Sequence, residues 1–252
     1  VSQRLVAAGH RGADIDLLIV THEHSDHLVD FYQLVVSSWH QGRTRPWRVL
    51  APAPALANMR AQYEGFARER ALRIAFEKRP DATGLDVQFE ELREGTIPGL
   101  GELAIEAFLV DHRPVEPAFG LKAVLAGTSL VFSGDTRLTP SLELAAQGCD
   151  LLVCEVFIDS QMPVVPGLRS AETVAAVQAY HMTPAVVAQL AARAGAKLLA
   201  LTHLVPPGAD TASLAREIRT AGYAGPLVVG EDLMALDVGE RLLRWNGATL
   251  AL

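Results

Sequence analysis

The sequence predicts an α/β fold in which sheets are packed inside helical layers. Three observations carry that expectation. Short apolar runs rich in β-formers recur along the 252 residues, helical periodicities separate several of them, and half the residues are apolar while a fifth are charged. Strands interleaved with helices over such a length pack as sheets covered by helices. A chain of this size also buries a substantial core.

In chain order, residues 16–21 (DLLIVT) form a short apolar run, a buried-strand candidate. Residues 28–38 carry apolar side chains at helical spacing, with Ser25 or Asp26 placed to cap that helix. A strand is expected at 49–51 and one or two helices over 54–74. Period-2 segments at 87–92, 103–110, 120–125 and 130–133 read as strands split by Gly-rich turns. Beyond them come a helix at 138–146, a strand at 151–156 and a helix at 183–194 that opens on Thr-Pro. A strand at 197–202, a helix at 211–221 and short strands at 227–229 and 234–237 complete the series. The Pro-rich pieces at 163–166 and 206–207 read as loops within one domain spanning 1–252.

Composition narrows the function classes. A formal charge of −7 gives no net field to attract nucleic acid or anionic membrane. Arginines cluster at Arg43, Arg45 and Arg48 and at Arg68, Arg70 and Arg73, and read as solvated faces. The two cysteines, Cys149 and Cys154, are too few for a disulfide framework and read as buried thiols. No apolar stretch is long enough for a membrane span. A cytoplasmic location is the default expectation, subject to any upstream targeting segment.

The sharpest signal is Thr21-His22-Glu23-His24-Ser25-Asp26-His27, placed where a buried strand ends and a helix begins. Residues two apart in extended chain project to the same side, so His22 and His24 can converge on one ion. The turn into the helix swings Asp26 and His27 to a neighbouring position. Imidazole and carboxylate suit a borderline divalent metal such as zinc. More ligands are needed, and each of three further candidates ends an apolar strand: His112 in Val-Asp-His-Arg-Pro, Asp135 in Phe-Ser-Gly-Asp-Thr and His203 in Leu-Thr-His.

This pattern resembles the metallo-β-lactamase superfamily, over residues 16 to about 237. The resemblance implies its αββα sandwich and a two-metal hydrolytic centre. His22, His24 and His112 would hold one ion, Asp26, His27 and His203 the other, and Asp135 would bridge them. The ions are expected to be two divalent metals, zinc first, with manganese or iron as alternatives. Asp111-His112-Arg113-Pro114-Val115, Pro117-Ala118-Phe119-Gly120 and Tyr180-His181-Met182-Thr183 look like the branch holding ribonuclease Z and arylsulfatase-like hydrolases. There the histidine matching His181 is a proton donor, so Asp26 and His181 are the expected catalytic residues. Asp111 is a candidate for orienting a ligand imidazole, with a lesser case for Glu23, Ser25 and Glu155. His10, His40 and Cys154 read as structural.

Three departures shape the functional expectation. Only 21 residues precede His22, where the superfamily normally has its first strands, so an N-terminally truncated domain is expected. Ribonuclease Z enzymes of the usual kind insert a tRNA-gripping arm between the third histidine and the bridging aspartate. Here His112 and Asp135 are 23 positions apart. Leu121 and Cys154 replace the tyrosine and histidine that the family often carries. The leading expectation is therefore an arylsulfatase-like hydrolase that uses a metal-activated water on a small-molecule ester. A phosphodiesterase or tRNA 3′-processing nuclease is the alternative, disfavoured by the acidic charge. A metal-binding but inactive fragment is the third. The branch often pairs, which makes a homodimer one expectation.

Overall fold

In the N-terminal unit, Val1–Arg93 of the 252 residues described by the computed structural model, three short strands form a parallel sheet. Strand β1 (Leu18–Ile19) pairs with β2 (Trp47–Ala51), which pairs with β3 (Val87–Glu91). Parallel neighbours need crossover connections, and helices supply them. Between β1 and β2 run α2 (Ser25–Leu28) and α3 (Phe31–His40), and between β2 and β3 run α4 (Ala53–Gly65) and α5 (Ala67–Glu77). A short α1 (Ser2–Ala7) precedes them. Helix α3 places Phe31, Leu34, Val35 and Trp39 on one face, and these pack with Trp47, Val49, Met59 and Leu85. Each such side chain contributes about 1.5–3 kcal/mol by leaving water. Helix α5 buries no residue.

The first arginine cluster departs from the expected solvated face. Arg43 is buried, donating from Nη1 to the Ile15 carbonyl at 2.7 Å, from Nε to Arg45 at 2.9 Å and from Nη2 to Pro46 at 2.9 Å. Its guanidinium stacks on Trp47, 4.1 Å from the ring centroid. Arg48 pairs with Glu90 at 2.9 Å. The sequence could not show this, because Arg43 serves carbonyls of the distant segment 12–15 together with those of its own turn.

The second unit, Glu94–Leu252, is built on a seven-stranded mixed sheet. Strands β4 (Gly95–Ile97), β5 (Ala104–His112), β6 (Val115–Leu125) and β7 (Thr128–Phe132) form an antiparallel meander. Strands β8 (Leu151–Phe157), β9 (Leu199–Val205) and β10 (Leu227–Val229) then add in parallel. Helix α6 (Pro140–Ala146) joins β7 to β8, α7 (Ala171–Gln178) and α8 (Pro184–Ala194) join β8 to β9, and α9 (Thr211–Thr220) joins β9 to β10. Both faces of the parallel strands are apolar. Leu152, Leu199 and Leu201 pack with Val187, Leu190, Leu214 and Ile218, while Leu151, Leu198, Ala200 and Val228 form a second cluster with Met234 and Leu236. Strands β11 (Ala235–Asp237), β12 (Leu242–Trp245) and β13 (Ala248–Ala251) make a separate antiparallel sheet.

The mixed sheets with covering helices agree with the expected α/β class. Strand ends move by a few residues: β5 and β6 run to and from the Arg113-Pro114 turn, where residues 111–119 show no clean alternation. The helix expected at 28–38 begins at Phe31 with Asp30 in its cap position, while Ser25 and Asp26 lie inside the short α2; neither helix has a side-chain cap bond. Helices α1 and α7, strand β4 and the hairpin β12–β13 have no sequence signal strong enough to announce them. Both cysteines are buried free thiols, and burial pushes Cys149 up to about 11. No helix is long and apolar enough to cross a membrane.

Candidate metal centre

Strand β1 is short because the chain turns away after Val20, whose amide still bonds the Leu50 carbonyl at 2.9 Å. His22 follows, fully buried, with Nε2 3.2 Å from His24 Nδ1 and Nδ1 3.1 Å from Thr21 Oγ1. The ring of His27 lies 4.2 Å from that of His22, and its Nε2 is 3.4 Å from Asp26 Oδ2. The N-terminal unit thus gathers His22, His24, Asp26 and His27 at one strand-to-helix turn. Asp26 remains the exposed member, with 64% of its side chain accessible.

In the second unit residues carried by β5, by the loop after β7 and by β9 come together. His112 is the last residue of β5 and is fully buried. Its Nδ1 lies 3.0 Å from the Tyr180 carbonyl, which can only accept, so Nδ1 carries the proton and Nε2 is left as a donor atom for a ligand. One of its ring nitrogens lies within 4.8 Å of an Asp135 carboxylate oxygen. His203 Nε2 lies 3.2 Å from Asp135 Oδ2.

His203 reaches that position through a bulge. In the β8–β9 ladder Glu155 faces Thr202 and Val156 faces Leu204, so His203 is the extra residue, with φ of +45°. A bulge re-aims one side chain without moving the rest of the strand. The strand therefore runs on to Val205 rather than ending at Thr202 as its apolar pattern suggested.

His181 sits beside this group. Its ring is 5.0 Å from the His112 ring and 6.0 Å from that of His203, and its side chain is 6% exposed. His181 Nδ1 lies 3.1 Å from Glu155 Oε2. Glu155 Oε1 accepts from the amides of Met182 at 3.0 Å and Thr136 at 3.4 Å. Burial pushes the Glu155 carboxyl well above its usual range, against the pull of those amide bonds. Glu155 thus ties together the loop after Asp135 and the loop holding His181, a stronger place than the sequence suggested.

Asp111 does not orient an imidazole. Its carboxylate takes Arg113 and Arg137 instead, and the Arg113 guanidinium leads in holding it well below the ordinary carboxylate range. His40 lies 3.3 Å from Glu77, and Cys154 is buried in the core. The Tyr180 carbonyl is the contributor that sequence reasoning missed, because a main-chain acceptor leaves no residue-type signature.

The second unit offers imidazole nitrogen and carboxylate oxygen with little exposure, and the first offers buried and half-buried imidazoles beside the exposed Asp26 carboxylate, the donor chemistry that borderline divalent ions take. Burying Asp135 beside ring nitrogens is costly unless a cation or proton compensates it. The residues therefore fit a divalent metal.

Comparison with known proteins follows the same line. Residues 2–204 match a family profile described as a beta-lactamase superfamily domain. The ribonuclease Z of Mycobacterium marinum is 30% identical over 245 residues, covering 96% of this chain and 86% of that protein. Among solved structures, the metallo-beta-lactamase fold protein YhfI from Bacillus subtilis superposes with a TM-score of 0.63 at 16% identity, over 88% of this chain and 77% of that one. The short form of human tRNase Z gives a TM-score of 0.62 at 18% identity, over 93% and 83% respectively.

Proposed function

Because the chain belongs to the metallo-β-lactamase superfamily, as a metal-dependent hydrolase of ribonuclease Z type acting on ester bonds, we propose that it cleaves phosphodiesters at RNA 3′ ends, as in tRNA 3′ processing. The observation that carries this reading is the Glu155–His181 contact beside His112, Asp135 and His203, in a chain similar to ribonuclease Z along nearly its whole length. Similarity of that extent moves the preference from the small aryl ester expected first to the phosphodiester.

On this reading both units belong to one domain. His22, His24 and His112 would hold one divalent ion and Asp26, His27 and His203 the other, with Asp135 shared and zinc the preferred metal. Bound ions of this kind supply Lewis acidity and an acidified water. The chain's own residues do the rest. The Tyr180 carbonyl fixes the tautomer of His112 and so keeps Nε2 unprotonated. His181 keeps its Nδ1 against Glu155 and delivers a proton from Nε2 to the departing oxygen. Such proton transfer contributes about 10²–10⁴-fold.

The test is a substrate panel of precursor tRNA, an aryl phosphodiester, an aryl sulfate and a carboxyl ester, with metal analysis of the same preparation. Cleavage of precursor tRNA, lost on chelation and in His24→Ala, is the expected result. Turnover of the aryl sulfate alone would return the reading to a small ester. One observation favours that second reading: the 22 residues between His112 and Asp135 are taken up by tight turns and strands β6 and β7. No RNA-gripping arm is built there. Less than one metal ion per chain with no chelator-sensitive turnover would leave only an inactive binding protein.

A further inference from the structure

Two arginines, Arg113 and Arg137, stand beside ligand-type residues of the second unit, one directly after His112 and the other two positions after Asp135. No other Arg or Lys stands within two positions of His22, His24, Asp26, His27, His112, Asp135 or His203. We propose that Arg113 and Arg137 form an anchor for a backbone phosphate of the RNA next to the scissile bond, an inference that rests on the phosphodiester reading above.

Asp111 builds the anchor. Its carboxylate accepts from Arg113 Nε at 3.0 Å and Nη2 at 2.5 Å, and Oδ2 also accepts from Arg137 Nη2. Its main chain is pinned too: the Asp111 carbonyl takes the Arg137 amide at 3.0 Å, and the Asp111 amide donates to Thr136 Oγ1 at 3.1 Å. The β5–β6 turn and the loop after Asp135 are thereby held as one piece. Both guanidiniums face solvent, with 57% and 47% of their side chains accessible.

The donor count then matters. Arg113 spends Nε and Nη2 on Asp111, which leaves Nη1; Arg137 spends Nη2, which leaves Nε and Nη1. Glu116 approaches Arg113 Nε at 3.8 Å and comes no closer. The result is a set of solvent-facing N–H groups with no bond to Asp111, on two cations that this one close carboxylate orients. Planar guanidiniums match phosphate oxygens, and orientation in advance removes part of the ordering cost of binding. Were the trio only a clamp, surface ion pairs of this exposure would contribute little to stability. The main-chain bonds already join the two loops. An anchor here also answers the acidic net charge: the RNA is met by local cations, not by the field of the whole molecule.

The test uses the metal-loaded full chain, a hairpin RNA with a single-stranded 3′ extension, and bis(p-nitrophenyl) phosphate, which has no neighbouring phosphate. Arg113→Ala and Arg137→Ala are each expected to raise Kd and KM for the RNA about tenfold, the scale of one charge-assisted hydrogen bond. The slope of log K against log salt should fall by about 0.7 for each single-strand phosphate that is no longer neutralised. The loss in kcat/KM on the RNA should exceed that on the small diester by a similar factor, and Arg→Lys should restore most of the salt slope. Unchanged KM and salt slope in variants that still cleave RNA would overturn the anchor and leave the nuclease reading standing. Equal losses on both substrates, or a fall in Tm that tracks the loss, would show a clamp and overturn it as well. Weakened RNA binding in the variants of a wild type that binds RNA without cleaving it would keep the anchor and remove the nuclease reading. A wild type that binds no RNA would remove both.

Discussion

At Glu155 one buried carboxylate orders two segments that the chain keeps apart. Oε1 accepts the amides of Thr136 and Met182, and Oε2 lies against His181. Replacing it with glutamine keeps an amide-accepting oxygen but changes what His181 Nδ1 meets. We expect Glu155→Gln to lower kcat about 10- to 100-fold, the usual cost of losing an orienting partner, with metal content unchanged. His181→Ala should lower kcat about 10²–10⁴-fold, again without loss of metal. Elemental analysis beside steady-state kinetics checks both. A variant that loses its ions together with its rate would make His181 a support of the metal site instead of the proton donor.

At the scale of elements, Arg43 fastens the segment before β1 to the start of β2. Burial pushes its guanidinium down to about 10, yet it stays charged at neutral pH and serves the carbonyls of Ile15, Arg45 and Pro46. Arg43→Met would leave those acceptors without their donor, and we expect a loss of about 3 kcal/mol in denaturant unfolding. Arg68→Ala, on an exposed face, should cost less than about 0.5 kcal/mol. The β7–β8 edge gives a pH-dependent counterpart. Lys197 leads in holding the Asp150 carboxyl below its usual value, and the Ser129 amide adds to it at 2.8 Å. A depressed folded pKa contributes stability above the unfolded value of about 3.9, and that contribution is lost as pH falls through the folded value. Wild type should therefore melt above Asp150→Asn at pH 7, and the gap should close in strong acid. A gap that persists there would contradict the assignment.

For the whole molecule, bound metal would link ion content to stability. Ions that bind the folded chain and not the unfolded one stabilise it by about 2.7 kcal/mol at a hundredfold excess over Kd. Chelation should therefore lower Tm as well as abolish hydrolysis, and readdition of zinc should restore both. An unchanged Tm under full chelation would separate the metal from the fold.

Much of this is legible along the chain, for a local reason. The run from His22 to His27 is contiguous, and strand-to-helix geometry acts within a few residues. His112, Asp135 and His203 each follow an apolar run, so the residues that the second unit draws together are visible as strand ends. What the chain could not display is how distant segments meet. The bulge that turns His203 needs the β8 ladder opposite it, and the Tyr180 carbonyl becomes a partner only once it meets His112. Asp111 looks like a support for an imidazole until the tertiary structure places Arg137 against it. Periodicity and residue type act along the chain and determined the class of fold and the metal-binding chemistry. Pairing and burial act across it, and they decided which polar groups hold those residues in place.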